Sequence, residues 1–552
     1  MVCAECTIFK KAFESFGGDY SEEETQRTPF EDLASLERSA LLGCSLCQII
    51  YQAWHYERYS EIYKEDSPIH VKGYIWDQDD SENGTEDSSE SKIQGIYICY
   101  EGSNTGFTLS DFTDGRISEE AFGAYQNASR QIIDPNTPDS VGKIASLASA
   151  WIRNCRQTHQ NCSYHAKRVP KVLPTRLIDV GTDVPGQPPK LFVPLRHLRS
   201  LEYIALSYAW GPQGNFIKTT SSNLEAMIQS LPWTQLPKTI QDAIAVTRRL
   251  GVRYLWVDAL CILQSEGPDD MKHKEDWSYE AARFGQYYQN SLLTIAATGA
   301  SSSDDGLLLP RLILRFEPKS ITFRPGKAAP LRYTIRSSIP SWLSDTYFSP
   351  LSKRGWAIQE RLLSRRVLHF AENMILWECH DCRATELDPQ GLDPIGAEDL
   401  NLPHIEFITK CRDLYAKGLE SDDFADEWYN FVTTYSAKDF TFVSDRLPAL
   451  SGIAAIIQQH TQQKYIAGLW ESDIPRGLAW MTHSSFRFET SHLVDPQTIG
   501  KPTKGDSRLM LPSWCWAVSG VLGSRLTRDK HFRTIAGSKA YGSRLLNDAQ
   551  TS

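Results

Sequence analysis

Between Tyr203 and Phe370 the hydrophobic pattern switches repeatedly between two periods. "YIALSYAW" (203–210) is a β-prone apolar run that stops at Gly211. Such a run predicts a strand covered on both faces, here 203–208. "LPKTIQDAIAVTRRLG" (236–251) follows, with Ile240, Ile244 and Leu250 at helical spacing. Pro237 suits its start and Gly251 its C-terminal cap. "RYLWVDALCILQ" (253–264) holds a second buried strand, 253–258. "KEDWSYEAARFGQYYQN" (274–290) is helical in pattern, and "SLLTIAATGA" (291–300) holds a third strand, 291–297. After a long insertion come a helix around "RGWAIQERLL" (354–363) and a fourth strand, 366–370. Strands alternating with helices predict an α/β domain with a mainly parallel sheet. In such sheets ligands bind beyond the carboxyl ends of the strands. That rim takes in Ser207, Tyr208, Trp210, Gly211 and Asp258, and the helix bearing Glu360 starts there.

Glu360 breaks the pattern of its helix. At three and four positions away it has Trp356, Ala357, Leu363 and Ser364. A surface glutamate usually has a Lys or Arg at one of those spacings. Arg354, Arg361, Arg365 and Arg366 miss all of them. Glu360 therefore shares an apolar stripe with Trp356 and Leu363. It is either an edge-of-core carboxylate tied to a backbone amide or a distant Arg, or a working group.

The flanks differ from this middle block. Residues 1–170 form an α-rich region with cysteine pairs. It includes "DQDDSENGTEDSSES" from Asp77, which has seven acids, no base and no apolar residue, the composition of a disordered loop. "LPTRLIDVG" and "PKLFVPL" open the second block, 171–386, as two strand-like runs around a turn. The third block, 387–552, carries the short aromatic runs "YIAGLW", "GLAWM" and "PSWCWAVSG", which read as a β-rich unit within an α+β region. A chain of 552 residues needs several cores, and 41 % hydrophobic with 23 % charged residues is a globular balance. The formal net charge of −10 argues against nucleic acid as a partner. No run reaches the roughly 18 apolar residues of a membrane span, and the first twenty residues lack an apolar signal core. The expectation is a cytoplasmic or nuclear protein whose 12 Cys stay reduced.

Four of these blocks together resemble the heterokaryon-incompatibility (HET) domain of filamentous fungi. They are "YIALSYAWG", "LPKTIQDAIAVTRRLGVRYLWVDALCILQ", "YYQNSLLTIAATGASSSDDGLL" and "RGWAIQERLLSRRVLHF", in the family's order. "LERSALLGCSLCQII", "LPTRLIDV" and "PSWCWA" are familiar company for it. The resemblance implies non-self recognition between fused cells and regulated cell death. HET domains are in turn similar to TIR domains, whose sheet is flavodoxin-like. Many of these cleave NAD with a helical glutamate in the motif Trp-Cys-Leu-x-Glu-Leu. "WAIQERL" matches at Trp356, Ile358, Glu360 and, one position late, Leu362. It departs at Ala357, in the insertion from Ser301 to Pro350, and in the uncharged "PQGN" after Gly211. The resemblance implies a TIR-like sheet, Glu360 as the catalytic carboxylate, and NAD or a related nucleotide held by Ser207, Tyr208, Trp210, Gly211, Asp258 and Trp356. A non-enzymatic module that self-associates or docks an incompatibility partner is the reading from another class.

The cysteines raise separate chemistry. Cys3, Cys6, Cys44 and Cys47 form two CxxC pairs, a zinc pattern in a reduced compartment, although Cys44 and Cys47 also fit core positions of an apolar helix. "CRQTHQNC" sets Cys155, His159 and Cys162 at helical spacing with His165 beyond, and "CHDC" pairs Cys379 with Cys382. Cys261, with no placed base, reads as a core thiol rather than a nucleophile. No Gly-rich phosphate fingerprint follows "SYAWG", which argues against a Rossmann dehydrogenase or P-loop enzyme.

Overall fold

The computed structural model describes residues 3–4, 6–7, 32–48, 50–51, 69–76, 92–100, 106–109, 113–114, 133–163, 171–182, 187–195, 201–211, 216–311, 319–323, 331–335, 342–347, 349–391, 421–478 and 516–518. The chain forms two compact units. The first comprises Met1–Thr137, Pro310–Phe348 and Glu372–Met374, and the second Pro138–Leu309, Ser349–Ala371 and Ile375–Ser552.

The first unit contains a helix, Leu33–Leu41, capped by Asp32, whose carboxylate accepts from the Ser35 amide. Gly43 takes a positive φ, +92°, which turns the chain directly into Cys44–Cys47. Strands Ile69–Trp76, Lys92–Tyr100 and Gly106–Leu109 form an antiparallel sheet. The acidic stretch 77–91 lies outside the described residues. Part of the 301–350 insertion contributes strands Lys319–Phe323 and Leu331–Ile335 to a second small sheet.

The second unit is built on an eight-stranded sheet. Its strands are β1 (Leu177–Asp179), β2 (Lys190–Phe192), β3 (Tyr203–Ser207), β4 (Tyr254–Trp256), β5 (Leu293–Ala296), β6 (Arg366–Phe370), β7 (Ile375–Cys379) and β8 (Arg383–Thr385), in the order β8-β7-β6-β5-β3-β4-β1-β2. The four strands expected from the pattern are adjacent and mutually parallel. The sheet as a whole is mixed, which corrects the expectation of a mainly parallel one. Every pairing outside β4-β3-β5-β6 is antiparallel. The reason is local: short connections fold β7 back on β6 and β8 back on β7 without a crossover helix.

All five positions of β3, β6 and β7 and all four of β5 are buried, so both faces of the sheet are covered. Helices α1 (Ser140–Thr158) and α2 (Lys238–Arg249) pack together. Helix α2 buries Ile240, Ala243, Ile244 and Val246, and ends at Gly251, φ +71°. The single helix expected over 274–290 is two, α3 (Met271–Ala281) and α4 (Phe284–Asn290). The break brings Phe284, Tyr287 and Tyr288 around the buried Trp256, with ring centroids 5.4–5.5 Å apart. The Tyr288 hydroxyl donates to the Leu206 carbonyl at 3.0 Å, which pins α4 to β3.

The Glu360 helix, α5 (Gly355–Leu363), lies between α4 and a C-terminal helix. The described C-terminal residues are mainly α6 (Ser421–Ser436) and α7 (Pro448–Thr461). "YIAGLW" does form a two-stranded hairpin, Tyr465–Ile466 with Leu469–Trp470. "PSWCWA" instead runs into a 3-10 turn at Trp516–Val518, and 479–515 lie outside the described residues. A Cβ on Gly285 would strike Leu363, and one on Gly452 would strike Gln359, so these glycines set how closely α4 and α7 approach α5. Gln359 then accepts the Gly452 amide at 2.9 Å. No helix among the described residues is long and apolar enough to cross a membrane.

Candidate functional site at the carboxyl end of β3

Strand β3 ends at Ser207, and its hydroxyl donates to the Glu360 carboxylate. That contact answers the sequence puzzle. Glu360 is 3 % exposed, and its hydrogen-bond partner comes from the sheet, not from its own helix. The cation that acts on it is Arg354, the residue before the helix, whose guanidinium donates to the Tyr208 carbonyl. Helical spacing rightly excluded Arg354 as an i,i+4 partner, yet its extended backbone (φ −75°, ψ 132°) lets the side chain reach the β3 end. Arg361 pairs with Glu378 instead, 2.8 Å away.

Asp258 follows β4 and accepts from the Trp210 indole at 3.1 Å. Lys218 lies over the Trp210 ring, 4.6 Å from its centroid. Gly211 has φ +86°, and a Cβ there would meet Ser302 at 2.8 Å. The β3 loop is thus closed against the segment after β5, where Ser303 donates to the Trp210 carbonyl at 3.2 Å. The structure therefore brings Ser207, Tyr208, Trp210, Gly211, Asp258 and Glu360 together at one rim. Trp356 sits elsewhere on its helix. Its ring packs on Phe284 and Trp277, with centroids 4.9 and 6.1 Å away, and its indole faces Asp445 at 3.4 Å. Sequence reasoning missed Arg354, Lys218 and Tyr288. Of these, Arg354 and Tyr288 stood inside the family-like blocks, and Lys218 did not.

Burial pushes the Glu360 carboxyl up to about 7, opposed chiefly by the Arg354 charge and the Ser207 hydrogen bond. Burial likewise raises Asp258, again opposed by Arg354. A carboxyl that titrates near neutrality can serve as acid, base or charge stabiliser. The shift also has a stability consequence. The folded protein keeps the Glu360 proton up to about pH 7, whereas the unfolded chain releases it near 4.3. Between those values the folded state binds more protons, so this contribution to stability falls as pH rises. We expect the loss of stability between pH 5 and 8 to be larger in wild type than in Glu360→Gln, by on the order of 3 kcal/mol. Urea unfolding at both pH values measures it; parallel losses would contradict the assignment.

Two clusters of metal-binding side chains share no residue with this rim. Cys3, Cys6, Cys44 and Cys47 bring their sulfurs within 4.8 Å of one another, with Cys3–Cys47 at 3.6 Å and Cys6–Cys47 at 3.4 Å. Tetrahedral zinc with bonds of about 2.3 Å sets sulfurs roughly 3.8 Å apart, so this donor set can hold that ion. The second cluster is Cys155, His159, Cys162 and Cys379, also within 4.8 Å. His165 lies outside the described residues. Cys261 is fully buried behind β4, and burial pushes its thiol up to about 12, a core position without an activating base.

The family comparison coincides with the rim. Residues 203–360, from the first residue of β3 to Glu360 itself, match the model of the heterokaryon incompatibility protein (HET) family. The chain carries a HET domain. No curated protein and no solved structure matched the chain. The matched span covers the parallel strands β3, β4 and β5 and all six residues of the rim. The HET domain suggests a role in heterokaryon incompatibility.

Proposed function

We propose that this HET domain protein is an incompatibility effector that acts in non-self recognition and regulated cell death by cleaving NAD at the rim of its sheet. The observation that carries this is the buried, proton-holding Glu360, bonded by Ser207 where β3 ends. The parallel core runs second, first, third, fourth, the order of flavodoxin-like sheets, which bind ligands beyond their strand ends. This order supports the TIR-like reading.

The chemistry fits a carboxylate. When the bond between the nicotinamide nitrogen and the ribose carbon breaks, its electron pair leaves with neutral nicotinamide. The sugar is left with positive charge, as in glycoside cleavage. Ionised Glu360 would stabilise that charge, and water would complete the sugar and lose a proton. Asp258 and Trp210 would hold the ribose and a ring of the nucleotide. We expect concentrated protein incubated with NAD at pH 8 to release nicotinamide, and less at pH 6, where Glu360 is mostly protonated. Chromatography of the mixture reads both products. No release at either pH would remove the enzyme reading. The alternative, a self-assembling or partner-docking module, draws on the 3 % exposure of Glu360, which suits a structural carboxylate too. It predicts cell killing without NAD loss.

A further inference from the structure

We propose that Cys155, His159, Cys162 and Cys379 bind a zinc ion that fastens α1 to the end of β7. The four come from places far apart in sequence. Cys155 lies in the last turn of α1, His159 directly after it, Cys162 in the next helical turn, and Cys379 ends β7. The spacing suggested one continuous helix face; instead the chain breaks at His159 (φ −83°, ψ 113°) between the turns that carry Cys155 and Cys162. The sheet supplies the fourth. His159 Nδ1 lies 3.2 Å from Cys379 Sγ, and all four donor atoms fall within 4.8 Å. Cys155, Cys162 and Cys379 are buried.

Arg366 supplies an independent indication of charge. It is 5 % exposed on β6. Its Nε donates to Cys155 Sγ at 3.0 Å, and its NH1 to the Leu292 carbonyl at 3.2 Å. Among the described residues no carboxylate is bonded to it. A buried cation needs an anion beside it, and a thiolate is the one this site can offer. Three thiolates and a neutral imidazole around a divalent ion carry a net −1, which Arg366 would balance. Soft thiolates with one imidazole in a closed tetrahedral set select zinc.

The surroundings also orient the ligands, as structural metal sites require. Asp381 accepts the Cys162 amide at 3.1 Å and also the Asn161 side chain. The Cys379 amide donates to the Cys382 carbonyl at 2.9 Å, which closes the "CHDC" turn that begins at the fourth ligand. Trp151 stacks on Trp377, 5.7 Å between centroids, so α1 is already seated on β7 one helical turn away. Binding would release the thiol protons and couple the sheet edge to α1.

The test is zinc counted in the full-length protein purified without chelator. Two zinc per chain are expected in wild type, one here and one in the first unit. Cys162→Ser should retain one, and Cys44→Ser should retain one. A folded Cys44→Ser protein without zinc would overturn the proposal. If either variant fails to fold, wild-type crystals decide, by anomalous scattering at the zinc edge. A peak about 2.3 Å from three sulfurs and about 2.1 Å from His159 is the expected result. No peak there, or a disulfide joining two of these cysteines, would refute it.

Discussion

Cys44→Ser is expected to lose one equivalent of zinc and to unravel the first unit locally around the Cys pairs. The four sulfurs of Cys3, Cys6, Cys44 and Cys47 converge, although 37 residues, 7–43, stand between Cys6 and Cys44. Metal binding free energy in such a site is folding free energy, of order 10 kcal/mol or more for structural zinc. Removing one thiolate forfeits much of it, because three ligands hold zinc less tightly and leave sulfurs crowded without their cation. Limited proteolysis should cut the variant near residues 3–48 under conditions that leave wild type whole. Equal zinc content and equal protection in the variant would mean that these cysteines are ordinary core positions of a packed helix, the competing reading of Cys44 and Cys47.

The two metal clusters differ in how far the sequence revealed them. CxxC pairs announce themselves at short range, and the Gly43 turn that aims Cys44 and Cys47 lies beside them. The Cys155 cluster was only three-quarters legible. Its fourth ligand, Cys379, is 220 positions from His159, and "CHDC" read by itself points to a Cys379–Cys382 pair. The sheet shows the same division. Continuous apolar runs identified β3, β4, β5 and β6, because burial on both faces leaves a signal in each strand alone. Their neighbours β7 and β1 are antiparallel. That direction is set by which edge a hairpin finds, information carried by no single segment.

Glu360 illustrates why site residues are partly legible. Its oddity could be read from helical spacing alone: an acid among apolar neighbours with no cation at i±3 or i±4. Its partners could not. Ser207 is 153 positions away, and Arg354 acts from outside the helical repeat. Trp356 went the other way. It was grouped with Glu360 by stripe, but the break between α3 and α4 turned Phe284 and Trp277 toward it.

The second large effect concerns Glu360→Gln. Glutamine keeps the shape and can still accept the Ser207 hydrogen bond, and it stands close to the protonated form that the site holds below pH 7. A structural carboxylate would therefore tolerate the change with a modest stability loss of roughly 1 kcal/mol. A carboxylate that stabilises developing charge would not: removing such a group typically slows the reaction by about a hundredfold or more. The most direct measurement is nicotinamide release from NAD by wild type and by Glu360→Gln of matched zinc content and melting temperature. The account predicts release by wild type and a rate at least about a hundredfold lower for the variant. Equal rates, with both proteins folded, would contradict it.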